Sequence, residues 1–237
     1  MTEFEALASF YTVVDSRRDV RSEFTGGAVD PDALVRILAA AHRAPSVGMS
    51  QPWDFVIVKS RTTRALFRDH VESERDNFAA LLTEERSETF AAIKIEGILE
   101  ATMGIVVTYD PSRGGARVHG RNTIDETGIF SVCLAIENLW LAATAEGYGV
   151  GWVSFYREEF LADLVDLPSP LRPVAWLCFG PVTGLQEVPD LERFGWRNRS
   201  PLRVALHSEK YSNPIDVDVD IDQRSLDAPF RSILRRK

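Results

Sequence analysis

The sequence predicts an α+β sandwich, and three observations predict it. Strand-like runs are few: "WDFVIVK", "GIVVTYD", "VGWVSF" and "VAWLCFG". Helical stretches outnumber them. The two kinds do not alternate strictly, as they would in a doubly wound parallel sheet. At 237 residues, 45% hydrophobic and 26% charged, the chain has the composition of an ordinary globular protein with a substantial core. A single domain over residues 1–237 is expected.

The helices follow from periodicity and punctuation. "FEALASFYTVVD" reads as a short amphipathic helix. In "DPDALVRILAAAHRAPS", Asp30 is a candidate N-cap with Pro31 at the first helical position, and Leu34, Ile37, Leu38 and Ala41 fall on one face. From Ser60 to about Leu99 the pattern is helical and highly charged with a weak apolar stripe, which suggests an excursion from the body. Thr123 and Glu126 suggest a capping box for the long apolar helix "IDETGIFSVCLAIENLWLAATAEG", which should be central and buried and which Gly147 should end. "REEFLADLV" is a short helix before the turn "LPSPLRP". The tail "DVDVDID" alternates with period two. It reads equally as an arm laid on a partner subunit or as a solvated acidic tail over 213–237.

Composition also sets aside several functions. A net charge of -8 and a pI near 5.1 argue against a nucleic-acid or acidic-membrane binder. Cys133 and Cys178 lie in apolar runs without a CxxC, as buried thiols in a reducing compartment would. "MTEFEALASF" has no basic segment followed by an apolar one, and no apolar run approaches the roughly 20 residues of a membrane span. A cytoplasmic protein is expected, so the sequon at Asn198 carries no meaning. Gly147, Gly149 and Gly151 follow a helix and precede a strand, the reverse of a dinucleotide-binding loop. The four histidines are scattered without metal-ligand spacing, and no GxSxG occurs.

What remains is "RRDVR", three arginines and one carboxylate from Arg17 to Arg21. Two readings are open. Cations at a helix C-terminus favour its macrodipole. Alternatively, guanidinium forks gather to bind an anion such as phosphate. "APSVGMSQPW" is a loop of small residues that lets backbone approach a flat ligand, and "FGWRNRSPL" places Arg197 and Arg199 late in the chain.

Together these three segments resemble the FMN site of the nitroreductase family. The resemblance implies an α+β homodimer, its central sheet mostly antiparallel and flanked by helices, with flavin at the subunit interface. By position it makes Arg17 and Arg199 phosphate ligands, Arg197 a weaker one, and Arg21 the cation at the N1/C2 carbonyl edge. Ordinary members carry a hydroxyl residue inside the basic cluster and an asparagine before the "SQPW" serine; this chain has Asp19 and Met49. With "AAHRAPSVGMSQPWDF", "KIEGILEA" and "GVGWVSF", the chain resembles the 5,6-dimethylbenzimidazole synthase family from about Phe10 to Tyr211.

That resemblance implies an enzyme that consumes reduced FMN as substrate and dioxygen as co-substrate, without metal. It makes Asp19 and Ser154 the essential polar residues. It also places Arg18, Val20, Ser46, Gly48, Met49, Ser50, Gln51 and Leu99 at the flavin. Gly48 would keep one flavin face open, and the stretch 61–99 would be a lid that excludes water. On its own, Ser154 reads as a strand-end serine bonded to backbone. For Asp19, neighbouring arginines pull the pKa down and burial pushes it up; the sequence leaves the sum open. Reduced FMN would arrive free or from a flavin reductase. Two alternatives stand beside this reading. One is an NAD(P)H-dependent nitroreductase or flavin reductase, against which Asp19 counts because an anion opposes the electron-rich reduced ring. The other is a non-catalytic flavin carrier.

Overall fold

The computed structural model describes residues 3–214. The order is α1 (Glu3–Ser16), α2 (Pro31–His42), β1 (Trp53–Val58), α3 (Arg61–Ala79), α4 (Glu84–Ala92), β2 (Met103–Tyr109), α5 (Thr127–Ala145), β3 (Tyr148–Val153), α6 (Glu158–Leu164), β4 (Arg172–Pro181) and α7 (Asp190–Arg193), with 3-10 turns at Val47–Met49 and Leu202–Ala205. The sheet has the order β1-β2-β4-β3, and every pair is antiparallel. The four strands are the four runs expected. The acidic tail lies outside the described residues.

Strand alternation divides the core between the two faces of the sheet. Ile105, Val107, Leu177 and Phe179 face α2 and α5. Val106, Trp176 and Cys178 face the other way, onto Phe67 and Val71 of α3 and Leu161 of α6. At α2 the Asp30 carboxylate accepts from the Asp32 N–H at 3.1 Å, with Pro31 as first residue, as expected.

Two expectations are corrected here. The capping box does not form: α5 starts at Thr127, and its N-cap residue Glu126 makes no side-chain cap bond. Thr123 and Glu126 instead lie in successive turns, closed by bonds such as Thr127 Oγ1 to Ile124 O at 2.7 Å. The expected excursion of α3 from the body is the second correction. Its apolar stripe is weak, but the first half of the helix packs on the sheet: Phe67 and Val71 are fully buried and the Arg64 guanidinium donates to Ile98 O and Ala101 O at 3.1 and 2.6 Å.

α5 is the one helix among the described residues long and apolar enough, by length and composition, to cross a membrane, although no such run was expected. Its inward stripe (Val132, Ile136, Leu139, Ala143) is a core stripe packed against α2 and the sheet. Its other side is not covered within the chain: Phe130 is 56% and Leu134 47% exposed.

Candidate active site

Residues 19–25 leave α1 and dock against the sheet. The Val20 N–H donates to Val150 O at 2.9 Å, and the Thr25 N–H donates to Pro181 O at 3.0 Å. This fixes Asp19 beside β3. Its Oδ1 accepts from the Trp152 N–H at 2.9 Å, and its Oδ2 pairs closely with Nη2 of Arg21. The same Nη2 donates to Trp152 O at 2.7 Å, and Nη1 donates to Val20 O at 3.2 Å. Two glycines make room for this buried guanidinium. A Cβ on Gly151 would lie 2.1 Å from Val20 O and 2.5 Å from Arg21 Nη1, and one on Gly97 would lie 2.5 Å from Arg21 O.

Asp19 and Arg21 form the polar end of a cleft of about 440 Å³. Its other end is aromatic: Phe78 from the end of α3, Phe90 from α4, Phe155 after β3, and Trp196 after α7. Phe90 meets Phe78, Phe155 and Trp196 at ring-centroid separations of 5.1, 6.0 and 5.9 Å. Asp19 keeps 48% of its side-chain surface open, on the cleft that it lines. The balance the sequence left open therefore falls on one side. Burial raises the Asp19 pKa above the ordinary aspartate value, against the opposing effects of Arg21, the Trp152 N–H and Arg17.

The expected site residues divide into two groups. Arg18, Asp19, Val20, Arg21 and Ser154 all line the cleft. Arg18 is nevertheless bound to backbone: its Nη1 donates to Asp15 O and Arg17 O, and its Nη2 to Glu187 O, at 2.5 to 2.7 Å. It ties the end of α1 to the segment before α7. Arg21, expected to present its charge to a flavin edge, has Asp19 and two carbonyls as partners.

The second group does not line the cleft within one chain: Arg17, Ser46, Gly48, Met49, Ser50, Gln51, Leu99, Arg197 and Arg199. Arg17 lies 4.8 Å over the Trp140 ring, with Glu137 at 3.9 Å. The 46–51 loop packs instead on the basic loop 111–121. Gly48 has φ +54°, and a Cβ there would lie 2.8 Å from Val118, so that glycine serves the chain's own loop packing. Met49 projects outward, 86% exposed. Leu99 packs into the core around α3. Arg197 and Arg199 are exposed beyond Trp196.

The sequence reading missed Glu23, Lys94 and Gln186 of the cleft wall. Glu23 accepts from Gln186 Nε2 at 2.9 Å and from the Ser22 N–H at 3.1 Å. Burial opposes its ionisation, but these bonds outweigh it and hold the carboxyl below the usual glutamate value. No local motif marks these residues; they meet only through folding. Among the described residues no cluster of His, Cys, Asp or Glu could hold a metal ion.

Comparison with known proteins agrees with this geometry. A 5,6-dimethylbenzimidazole synthase of Rhodospirillum rubrum is 40% identical over 185 residues, 78% of this chain and 87% of the relative. One from Rhodobacter capsulatus is 34% identical over 187 residues, 78% of this chain and 89% of the relative. Among solved structures, an iodotyrosine deiodinase bound to FMN and 3-iodo-L-tyrosine superposes with a TM-score of 0.65 at 23% identity, covering 82% of this chain and 97% of the other. A BluB-like flavoprotein from Clostridium difficile gives 0.62 at 20% identity, covering 84% and 98%. Residues 14–181 match the profile of the Nitroreductase family. The chain therefore belongs to the nitroreductase family, with 5,6-dimethylbenzimidazole synthases among its relatives.

Proposed function

We propose that this protein is a 5,6-dimethylbenzimidazole synthase, an oxidoreductase that fragments reduced FMN with dioxygen to 5,6-dimethylbenzimidazole and erythrose 4-phosphate, the remainder of the pyrimidine ring leaving as a third, oxygenated fragment. One observation carries the reading. A carboxylate with a raised pKa is held at two points at the end of an apolar cleft, and Ser154 lies on the same wall. A prosthetic flavin that only shuttles electrons has no use for that anion.

The residues fit a flavin substrate. The cleft volume lies within the roughly 300–1,000 Å³ of small-molecule sites. Its aromatic end suits a planar ring, and its polar end offers donors and an exchangeable proton. When bound, reduced FMN supplies the electrons for dioxygen and the carbon skeleton of the product. The chain supplies the rest. Asp19 takes and returns a proton at its carboxylate oxygens, its raised pKa bringing it nearer to neutrality. Arg21 and the Trp152 N–H hold the carboxylate in one orientation and steady it when it ionises. The Ser154 hydroxyl, two residues beyond Trp152, positions a ribityl hydroxyl. The segment 78–95, with Trp196, excludes water.

Arg17 and Arg199, with Arg197, are assigned to the phosphate by the family resemblance. The 46–51 loop does not line the cleft of its own chain, and the uncovered face of α5 favours a homodimer in which a second copy brings that loop to the flavin. The protein would work in the cytoplasm on reduced FMN, free or delivered by a reductase. The test is to supply photoreduced FMN, admit air and look for dimethylbenzimidazole by chromatography. Reoxidised flavin without that product, or flavin-dependent consumption of NAD(P)H, would show a reductase instead.

A further inference from the structure

Trp53 opens β1 and is buried, and its indole nitrogen can donate a hydrogen bond but not accept one. Its acceptor is His42 Nδ1, 3.2 Å away on the last residue of α2. That bond decides the state of the ring. Nδ1 must be unprotonated, so the neutral imidazole carries its proton on Nε2. The Gln51 amide turns back to the same residue and donates to His42 O at 3.0 Å. His42 therefore holds both ends of the turn Gln51-Pro52-Trp53 to the end of α2. The Gln51 N–H in its turn donates to Ser46 Oγ at 3.0 Å, which passes the setting of the turn to the start of the 46–51 loop.

A second clamp holds the same turn from the segment after β2. Arg113 donates to Gln51 O and Trp53 O at 3.3 and 2.7 Å, and the Asp110 N–H donates to Pro52 O at 2.8 Å. The carboxylates there, Asp54 and Asp110, are both paired with Arg113. From α5, the uncharged Asn138 donates to Ala40 O at 3.1 Å, and the neighbouring charge along the chain is Arg43. His42 itself belongs to no ion pair among the described residues. Of the two clamps, only the imidazole changes charge between about pH 5 and 8. A proton on Nδ1 removes the acceptor and leaves a buried indole N–H unpaired. We propose that His42, outside the cleft lining, is a positioning residue for the substrate: through Trp53 and Gln51 it sets the shape of the 46–51 loop, and it does so only while its ring is neutral. This rests on the reading that the loop meets the flavin.

The test uses the full chain as wild type, His42→Asn, His42→Leu and Trp53→Phe. In His42→Asn an amide oxygen replaces Nδ1 as acceptor and does not titrate; His42→Leu has no acceptor. Of the five tryptophan indole N–H signals in a proton–nitrogen spectrum, the one missing in Trp53→Phe belongs to Trp53. It should shift in wild type as pH falls from about 8 to about 5.5, and stay in place in His42→Asn. Affinity for photoreduced FMN, measured without air, is taken as the ratio of wild type to His42→Asn, which cancels the titration of the flavin phosphate and of Asp19. One lost hydrogen bond to a buried donor is worth about tenfold. The ratio should therefore fall about tenfold over that range, and His42→Leu should bind about tenfold more weakly than His42→Asn at either pH. If His42→Leu fails to fold, the His42→Asn ratio decides alone. An indole signal that does not move in wild type overturns the proposal, as does one that moves equally in His42→Asn, or a flat ratio. Product formation by wild type is scored separately. If product forms while the ratio is flat, only this inference falls. If the ratio falls but no product forms in air, the inference stands and the assigned reaction falls.

Discussion

Asp19 faces two environments at once, an ion pair behind it and an apolar cleft in front, and its chemistry depends on which prevails. The raised pKa says that the cleft does. Asp19→Asn keeps the shape and one acceptor but cannot exchange a proton. Product formation should drop by at least about 100-fold, while the dissociation constant for oxidised FMN stays within about threefold of wild type; chromatography and flavin fluorescence measure the two. The pH dependence follows from the sign of the shift. A carboxyl whose folded pKa exceeds its unfolded value stabilises the fold most below that unfolded value, near 3.8, and loses the contribution as pH rises through the folded value. The melting temperature of Asp19→Asn relative to flavin-free wild type should therefore be highest near neutrality and decline toward acid. A gap that widened on acidification would contradict the raised pKa. Gly151 makes a complementary point. Gly151→Ala puts a methyl 2.1 Å from Val20 O, so the strand and the 19–21 segment must part. We expect a loss of about 1–3 kcal/mol of stability, read by urea unfolding, and weakened flavin binding.

Among the elements, α4 is held to the cleft by few attachments, and they can be named. Phe90 is its buried residue; Arg75 of α3 donates to Ala91 O and Ile93 O at 3.4 and 3.3 Å. Arg86 sits 3.9 Å from the Trp196 ring and donates to Trp196 O at 3.3 Å. This last contact fastens α4 to the segment after α7 across the aromatic end of the cleft. An exposed cation–π contact is worth about 0.5–1 kcal/mol. Arg86→Ala should thus leave the global melting temperature within about 2 °C while speeding amide exchange in 84–92. Equal acceleration throughout the protein would show that α4 is no independent unit. These elements also mark how far the sequence was legible. Strands and α2 were readable because their signals are local: β-branched runs, and an aspartate before a proline. The inward row of α3 was obscured because Arg64, Phe67 and Val71 are only three residues among charged neighbours, one of them an arginine buried by carbonyls elsewhere in the chain. The "RRDVR" segment was legible as chemistry because its residue types are unusual together. Glu23, Lys94 and Gln186 were not, since ordinary polar residues gain meaning only from what folding sets beside them.

At the level of the whole molecule, the candidate residues fall on two separate surfaces. Asp19, Arg21 and Ser154 are in the cleft; Met49, in the loop that joins α2 to β1, is exposed and does not line it. Phe130 and Leu134 on α5, and Leu7 and Phe10 on α1, leave apolar surface uncovered, the kind of patch that a second copy buries. If two-fold pairing brings the loop of one copy to the cleft of the other, each active site draws on both chains. Complementation decides the matter. Asp19→Asn disables the cleft, and Met49→Glu sets an anion on the loop. Either homodimer should be nearly inactive. Mixed by co-expression, half of the dimers are hybrids, and each hybrid holds one site with both defects and one with neither. Product formation should return to roughly a quarter of wild type. A site built within one chain gives no such recovery, because every cleft would then carry one defect or the other.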